Sequence, residues 1–202
     1  MSCVEHHIQL PDGELLVLQP EESAELPDDG PIEWAPIAPY WSVLWRSGVA
    51  LARELANATL DGLYVVELGC GLGVPGLAAA RRGARVLATD HCPDALELLE
   101  RTARRNGIRL DTALVDWGEP EELVARAPFD LVLAADVLYE RRAVTQLLKL
   151  LPRLAPEVWL ADPGRPAASV FLERAAAHWS VSATVRDGMQ INRLRASTAT
   201  AM

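Results

Sequence analysis

From Leu63 onward, short apolar runs alternate with stretches in which apolar residues recur every three or four positions. The runs read as strands buried on both faces, and the stretches as amphipathic helices. The spacing predicts strands at 63–68, 85–89, 112–115, 129–135 and 158–161. It predicts helices near 74–82, 93–105, 119–126, 141–151 and 167–178. Alternation of this kind builds right-handed βαβ units, hence a parallel sheet with helices on both faces. Beyond the last helix, 181–186 and 191–195 read as two strands joined at Asp187-Gly188, a hairpin signal. The expected fold is α/β: a seven-strand Rossmann-like sheet, mostly parallel, with a C-terminal antiparallel hairpin.

The first forty residues follow another pattern. Apolar runs at 8–10 and 15–18 flank Pro11-Asp12-Gly13-Glu14, which predicts a small hairpin. Residues 19–39 hold acids and five prolines and read as an extended loop. That loop ends in Pro39-Tyr40-Trp41-Ser42-Val43-Leu44-Trp45, too aromatic for a linker. Ser47 is a candidate cap for a helix running through Val49, Leu51 and Leu55 to about Ala58.

Size and charge narrow the function. At 202 residues and 22.0 kDa the chain is expected to form one domain with a full core. No apolar run approaches the ~18–20 residues of a membrane span, and the start lacks a basic n-region, so neither a span nor a signal peptide is expected. Cys3, Cys70 and Cys92 follow no metal-ligand spacing and suit a reducing cytoplasm, with no metal site expected. A net charge of −9 with dispersed arginines argues against nucleic acid as partner and suits a lysine-bearing protein surface.

The chemistry concentrates after the strand at 63–68. Glu67-Leu68-Gly69-Cys70-Gly71-Leu72-Gly73 is an apolar strand ending in an acid and then glycines at every second position. Such a turn lets backbone approach a nucleotide cofactor, with the amides of the next helix facing it. Gly71 to Gly76 also fits G-x-G-x-x-G, the dinucleotide fingerprint. Three features favour S-adenosylmethionine over NAD. Glu67 is an acid inside the strand end; Asp90 ends the second strand, placed for both ribose hydroxyls; Asp116-Trp117 ends the third, an acid and an aromatic surface for adenine. NAD explains the second feature and not the third.

Four segments together resemble the seven-β-strand protein-lysine methyltransferases of the family-16-like group. They are Tyr40-Trp41 through Ser47-Gly48, Glu67 through Gly73, Asp116-Trp117, and Asp136-Val137-Leu138-Tyr139, which matches that group's D-x-x-Y motif. The resemblance covers about residues 39–195. Ala161-Asp162-Pro163-Gly164-Arg165-Pro166 is similar to a segment of the electron-transfer-flavoprotein β-subunit lysine methyltransferases, the subgroup the chain most resembles. Arg46 stands where relatives commonly have proline. The resemblance implies a methyltransferase domain at 41–197, the 1–40 segment packed on it and a tail at 198–202. It implies that Trp45, Gly69, Cys70, Gly71, Asp90, Trp117 and Ala135 line the cofactor, and that Asp136 and Tyr139 line the acceptor pocket. Trp34, Trp159 and Trp179 read as packing residues.

The expected reaction is N-methyl transfer from S-adenosylmethionine to a protein lysine, with the flavoprotein β-subunit a candidate target. Base-amino methyltransferases carry prolines after the fourth strand that shape a slot for a planar acceptor; none lies between Asp136 and Tyr139, which favours a flexible amine. A small-molecule, nicotinamide-like N-methyltransferase shares every cofactor residue. An NAD-dependent oxidoreductase and a non-catalytic cofactor-binding module are the rivals of other classes.

Overall fold

The computed structural model describes residues 2–23 and 39–197. A two-stranded antiparallel sheet, β1 (Cys3–Leu10) and β2 (Gly13–Pro20), precedes the main body. The main body runs α1 (Arg46–Leu55), β3 (Tyr64–Leu68), α2 (Val74–Arg81), β4 (Arg85–Asp90), α3 (Pro93–Asn106), β5 (Asp111–Leu114), α4 (Glu121–Val124), β6 (Leu131–Ala135), α5 (Arg141–Leu154), β7 (Glu157–Asp162), α6 (Pro166–Ala175), β8 (Trp179–Arg186) and β9 (Met189–Ala196). The seven strands lie in the order β5-β4-β3-β6-β7-β9-β8. β3 to β7 are parallel, and β9 pairs antiparallel with both β7 and β8.

The central strands are largely apolar because both faces are covered. Val65 packs into one core with α1, α2 and α3, and its neighbour Val66 into a second core with α5 and α6; both are fully buried. The β8–β9 turn is tight because Asp187 and Gly188 both adopt positive φ, matching the right-handed strand twist. After β3 the chain first builds outward to β4 and β5, then returns to place β6 on the other side of β3. The two directions diverge between β3 and β6, and the crevice at the carboxyl ends of these strands is where open α/β sheets bind ligands.

Several sequence expectations change in extent. The N-terminal strands reach back to Cys3 and forward to Pro20, and α1 ends at Leu55 instead of Ala58. α4 is one turn, shorter than the 119–126 stretch. Ser47 does not cap α1: Trp45 holds the N-cap position without a side-chain bond, and Ser47 lies inside the helix, buried, its hydroxyl 3.4 Å from Met189 Sδ. Burial against β9 wins over capping there. The loop expected at 19–39 lies outside the described residues from 24 to 38, Trp34 included, as does the tail from 198.

The N-terminal hairpin is tied down by side chains where its edge would otherwise be open. Asn106 bonds both backbone groups of Leu16, accepting at 3.0 Å and donating at 2.7 Å, and Arg81 pairs with Asp12. Such pairing meets the requirement that buried backbone groups be satisfied. Gln19 Nε2 then donates to the Ser42 carbonyl at 2.9 Å, linking the hairpin to the short 3-10 turn Tyr40–Ser42 beside the crevice.

Candidate active site

The glycine turn after β3 is built from left-handed residues. Gly69, Gly71 and Gly73 all have positive φ. At Gly71 the requirement is double, since a Cβ would also stand 2.9 Å from the Trp41 carbonyl oxygen. The turn therefore packs directly on the aromatic segment 40–45. Pro75 lies in the first turn of α2, where its missing N–H costs nothing.

Two acidic side chains hold this turn. Asp90, at the end of β4, accepts from Gly71 N–H at 2.9 Å and from Cys92 N–H at 3.0 Å. Glu67, in β3, accepts from Gly76 N–H at 2.9 Å from beneath the turn. Burial pushes the Glu67 carboxyl up to about 8, against the opposing Gly76 hydrogen bond and with help from the nearby Asp90 charge. The Cys70 thiol, also buried, is pushed up well above its usual value, which leaves it a small packing residue.

The Glu67 shift has a consequence for stability. An unfolded glutamate ionises near 4.5, whereas the folded one keeps its proton to about 8. The fold therefore binds the extra proton within that window, and its stability falls as pH rises through it. Glu67→Gln keeps an acceptor for Gly76 but cannot ionise. We expect wild-type protein without ligand to lose stability to urea between pH 5 and pH 8, and the variant to lose less, by a few kcal/mol. Parallel curves for the two proteins would show that Glu67 ionises normally in the fold.

The other side of the crevice is lined from β6, β7 and the 40–45 segment. Asp136 follows β6 in a left-handed conformation with φ of 58°, which aspartate tolerates better than most residues, and its N–H donates to the Ala161 carbonyl at 3.0 Å. It does not cap α5, whose N-cap is Glu140. Its carboxylate is buried and pairs with the Arg165 guanidinium, which also reaches Asp162 Oδ2 at 3.2 Å. Burial raises the Asp136 carboxyl above its usual range, while Arg165 and a hydrogen bond from Ser47 oppose the rise. Asp162 is fully engaged: its Oδ1 takes the N–H groups of Gly164 and Arg165, each at 2.7 Å.

Aromatic rings form the rim. The Tyr40 ring centroid lies 5.6 Å from that of Tyr139 and 6.5 Å from that of Trp45, and Trp45 Nε1 donates to the Tyr40 carbonyl at 3.0 Å. The Arg165 guanidinium carbon is 5.8 Å from the Trp45 ring centroid. Tyr139 is part-exposed, and burial together with Glu140 raises its phenol above the usual value, so it stays neutral.

Every residue expected from the sequence to form the site lines one cavity of about 200 Å³: Trp45, Glu67, Gly69, Cys70, Gly71, Asp90, Asp116, Trp117, Ala135, Asp136 and Tyr139. Trp117 lies over Gly69, 3.3 Å from where a Cβ would stand, and Asp116 accepts from Gly118 N–H at 2.7 Å in an exposed turn. Trp159 and Trp179 are buried packing residues, Trp159 under the Arg193 guanidinium. Sequence reasoning missed Tyr40, Ser47 and Arg165 as site residues. A signal existed for Arg165, because Asp162-Pro163-Gly164-Arg165 directly follows a strand at the carboxyl edge. Among the described residues no group of three or more His, Cys, Asp or Glu side chains could hold a metal ion, and no helix is long and apolar enough to cross a membrane.

This strand order, with a glycine turn and acids at the carboxyl edge, is the Rossmann-like methyltransferase fold. It is shared with the T. thermophilus 16S rRNA N2 G1207 methyltransferase solved with AdoMet and guanosine, at TM-score 0.69 and 16% identity over 97% of this chain and 51% of that one. The family described as lysine methyltransferase matches residues 40–160. Protein N-lysine methyltransferase METTL21A of Mus musculus is 36% identical over 120 residues, 56% of this chain and 55% of the relative. Electron transfer flavoprotein beta subunit lysine methyltransferase of Mus musculus is 30% identical over 140 residues, 66% of this chain and 54% of the relative. The chain belongs to the lysine methyltransferase family. Its matches span about half the length of those relatives.

Proposed function

We propose that this protein transfers a methyl group from S-adenosylmethionine to a lysine side chain of a protein. The observation that carries the reading is the joining, in one cavity, of a glycine turn held by Asp90 and Glu67 with a buried Asp136 under an aromatic rim. The cofactor fits the turn end: added Cβ atoms would crowd Trp117 at Gly69 and the Trp41 carbonyl at Gly71. Asp90 would hold the ribose, Asp116 and Trp117 the adenine, and Trp45, Cys70 and Ala135 would complete the wall. The bound cofactor supplies a sulfonium methyl group, whose transfer leaves a neutral thioether.

The protein's residues position and desolvate the acceptor. The rings of Tyr40, Trp45 and Tyr139 suit the long alkyl chain of a lysine, which packs against their apolar faces. Asp136 accepts a hydrogen bond from the amine and so orients its lone pair toward the methyl group. With the cofactor bound, the acceptor nitrogen would take the methyl group, the carbon–sulfur electron pair would remain on sulfur, and the surplus proton on nitrogen would pass to water. A net charge of −9 suits a lysine-bearing partner surface, and the β-subunit named for one relative is a first candidate.

Calorimetric titration with S-adenosylhomocysteine, with NAD in parallel, tests the cofactor side. We expect micromolar affinity for the former alone, weakened at least about tenfold in Asp90→Ala, the loss of roughly one charged hydrogen-bonding group. Binding of NAD alone overturns the reading. Incubation of the protein and S-adenosylmethionine with a protein extract, followed by mass-spectrometric mapping, tests the acceptor. Methyl groups confined to residues other than lysine, or to small amines, overturn the lysine assignment.

A further inference from the structure

A methyl acceptor nitrogen needs a lone pair, yet a lysine amine ionises near about 10.4 and reaches the site as ammonium. A bare carboxylate worsens this, because an adjacent negative charge favours the cation. The acceptor end of the cavity holds a buried carboxylate, Asp136, which on its own would trap lysine in its unreactive form.

Arg165 removes the difficulty. Its Nη1 donates to both Asp136 and Asp162, and its side chain is 12% exposed, against 5% and 1% for the two carboxylates. Asp162 is consumed by the turn it holds, with Oδ1 taking two backbone N–H groups and Oδ2 facing Arg165. The guanidinium is held from its other side by Trp45. An arginine stays charged at any accessible pH and presents a rigid fork, so Asp136 never meets the acceptor without a partner cation. Of the other charged groups of the wall, Glu140 pairs with Arg142 at 2.5 Å at the mouth, Asp90 accepts from two backbone amides with His91 3.4 Å away, and Glu67 beneath the glycine turn keeps its proton to about 8. Asp116, in its exposed turn at the far end, is screened by water. Tyr139 stays neutral.

We propose that Arg165 is a positioning residue that makes this pocket select a neutral amine over an ammonium ion, by offsetting the charge of Asp136 while leaving its carboxylate able to accept a further hydrogen bond. The inference rests on the amine-acceptor reading above and names the chemical form of that acceptor. It also explains how one carboxylate can orient a nucleophile without stabilising its protonated state.

The test uses n-butylamine, the end of a lysine side chain, titrated by NMR into the full chain saturated with S-adenosylhomocysteine at pH 7 and pH 9.5, and repeated in a Glu67→Gln background, in which residue 67 does not ionise over this interval. A pocket that takes only the neutral form gains apparent affinity in proportion to the neutral fraction, about a hundredfold or more over this interval. We expect that rise in the wild-type protein and in Arg165→Lys, which keeps the cation. In Arg165→Gln the unpaired Asp136 accepts ammonium, and the rise shrinks to less than about tenfold. A wild-type rise below about tenfold overturns the proposal without any variant, as does the same large rise in Arg165→Gln, or no saturable binding of the amine by the wild type. Lysine methylation in the extract assay is read separately: its absence beside the expected butylamine result would defeat the protein-lysine reading and leave the neutral-amine pocket standing.

Discussion

Asp136→Asn is expected to lower kcat/KM for methyl transfer by about 10²–10³-fold, the usual cost of losing a preorganised hydrogen-bonding group at the reacting centre. Affinity for S-adenosylhomocysteine should stay within about threefold, since the residue lies on the acceptor side of the cavity. Asparagine is the informative substitution because residue 136 sits at φ of 58°, a conformation asparagine adopts and alanine resists. Asp136→Ala would add backbone strain to the loss of chemistry. The amide also keeps an oxygen for Arg165, so the guanidinium is not left without any neighbour there, while Asp162 still holds it. Single-turnover rates together with calorimetry check the prediction. A fall in ligand affinity that matches the fall in rate would move Asp136 into the cofactor's surroundings and leave the acceptor pocket without its anchor.

The second large effect is on folding. Gly73→Ala should destabilise the protein by about 2–5 kcal/mol, the sum of left-handed strain and overpacking. Gly73 caps α2 at φ of 71°, and a Cβ there would lie 2.3 Å from Leu99 Cδ1 and 2.7 Å from its Cδ2. Leu99 is fully buried in α3, so it has little room to give way. Gly107 is the natural control: it follows α3 at φ of 66°, but nothing lies within 4 Å of its added Cβ. Gly107→Ala should cost about 1–2 kcal/mol from strain alone. Urea unfolding of both variants separates the two causes. Equal losses would mean that Leu99 moves aside and that close packing under the turn contributes nothing.

Most of the architecture was legible because local pattern and tertiary arrangement agree. Val65 and Val66 read as strand since both faces of β3 are buried, and Asp187-Gly188 reads as a turn since its backbone requires positive φ. The glycines at 69, 71 and 73 likewise declare a backbone need that few other residues meet. Failures came where a long-range contact overruled a local preference. Ser47 carries a capping side chain, yet β9, more than 140 positions away in the chain, buries it inside α1. The 119–126 segment carries helical periodicity, yet only Glu121–Val124 forms a helix.

The candidate site divides along the same line. The sequence by itself determined which acids and glycines end the strands, and in a parallel sheet all strand ends meet at one edge, so Glu67, Asp90, Asp116 and Asp136 had to converge. The order β5-β4-β3-β6-β7 then set β6 and β7 side by side. Only that tertiary step could bring Arg165 onto Asp136 across 29 positions and bring Tyr40, from the segment before α1, against Tyr139. Strand-end residues are fixed by local chain geometry, whereas the charge state of the acceptor pocket depends on which loops the sheet order makes neighbours. No periodicity along the chain encodes that adjacency.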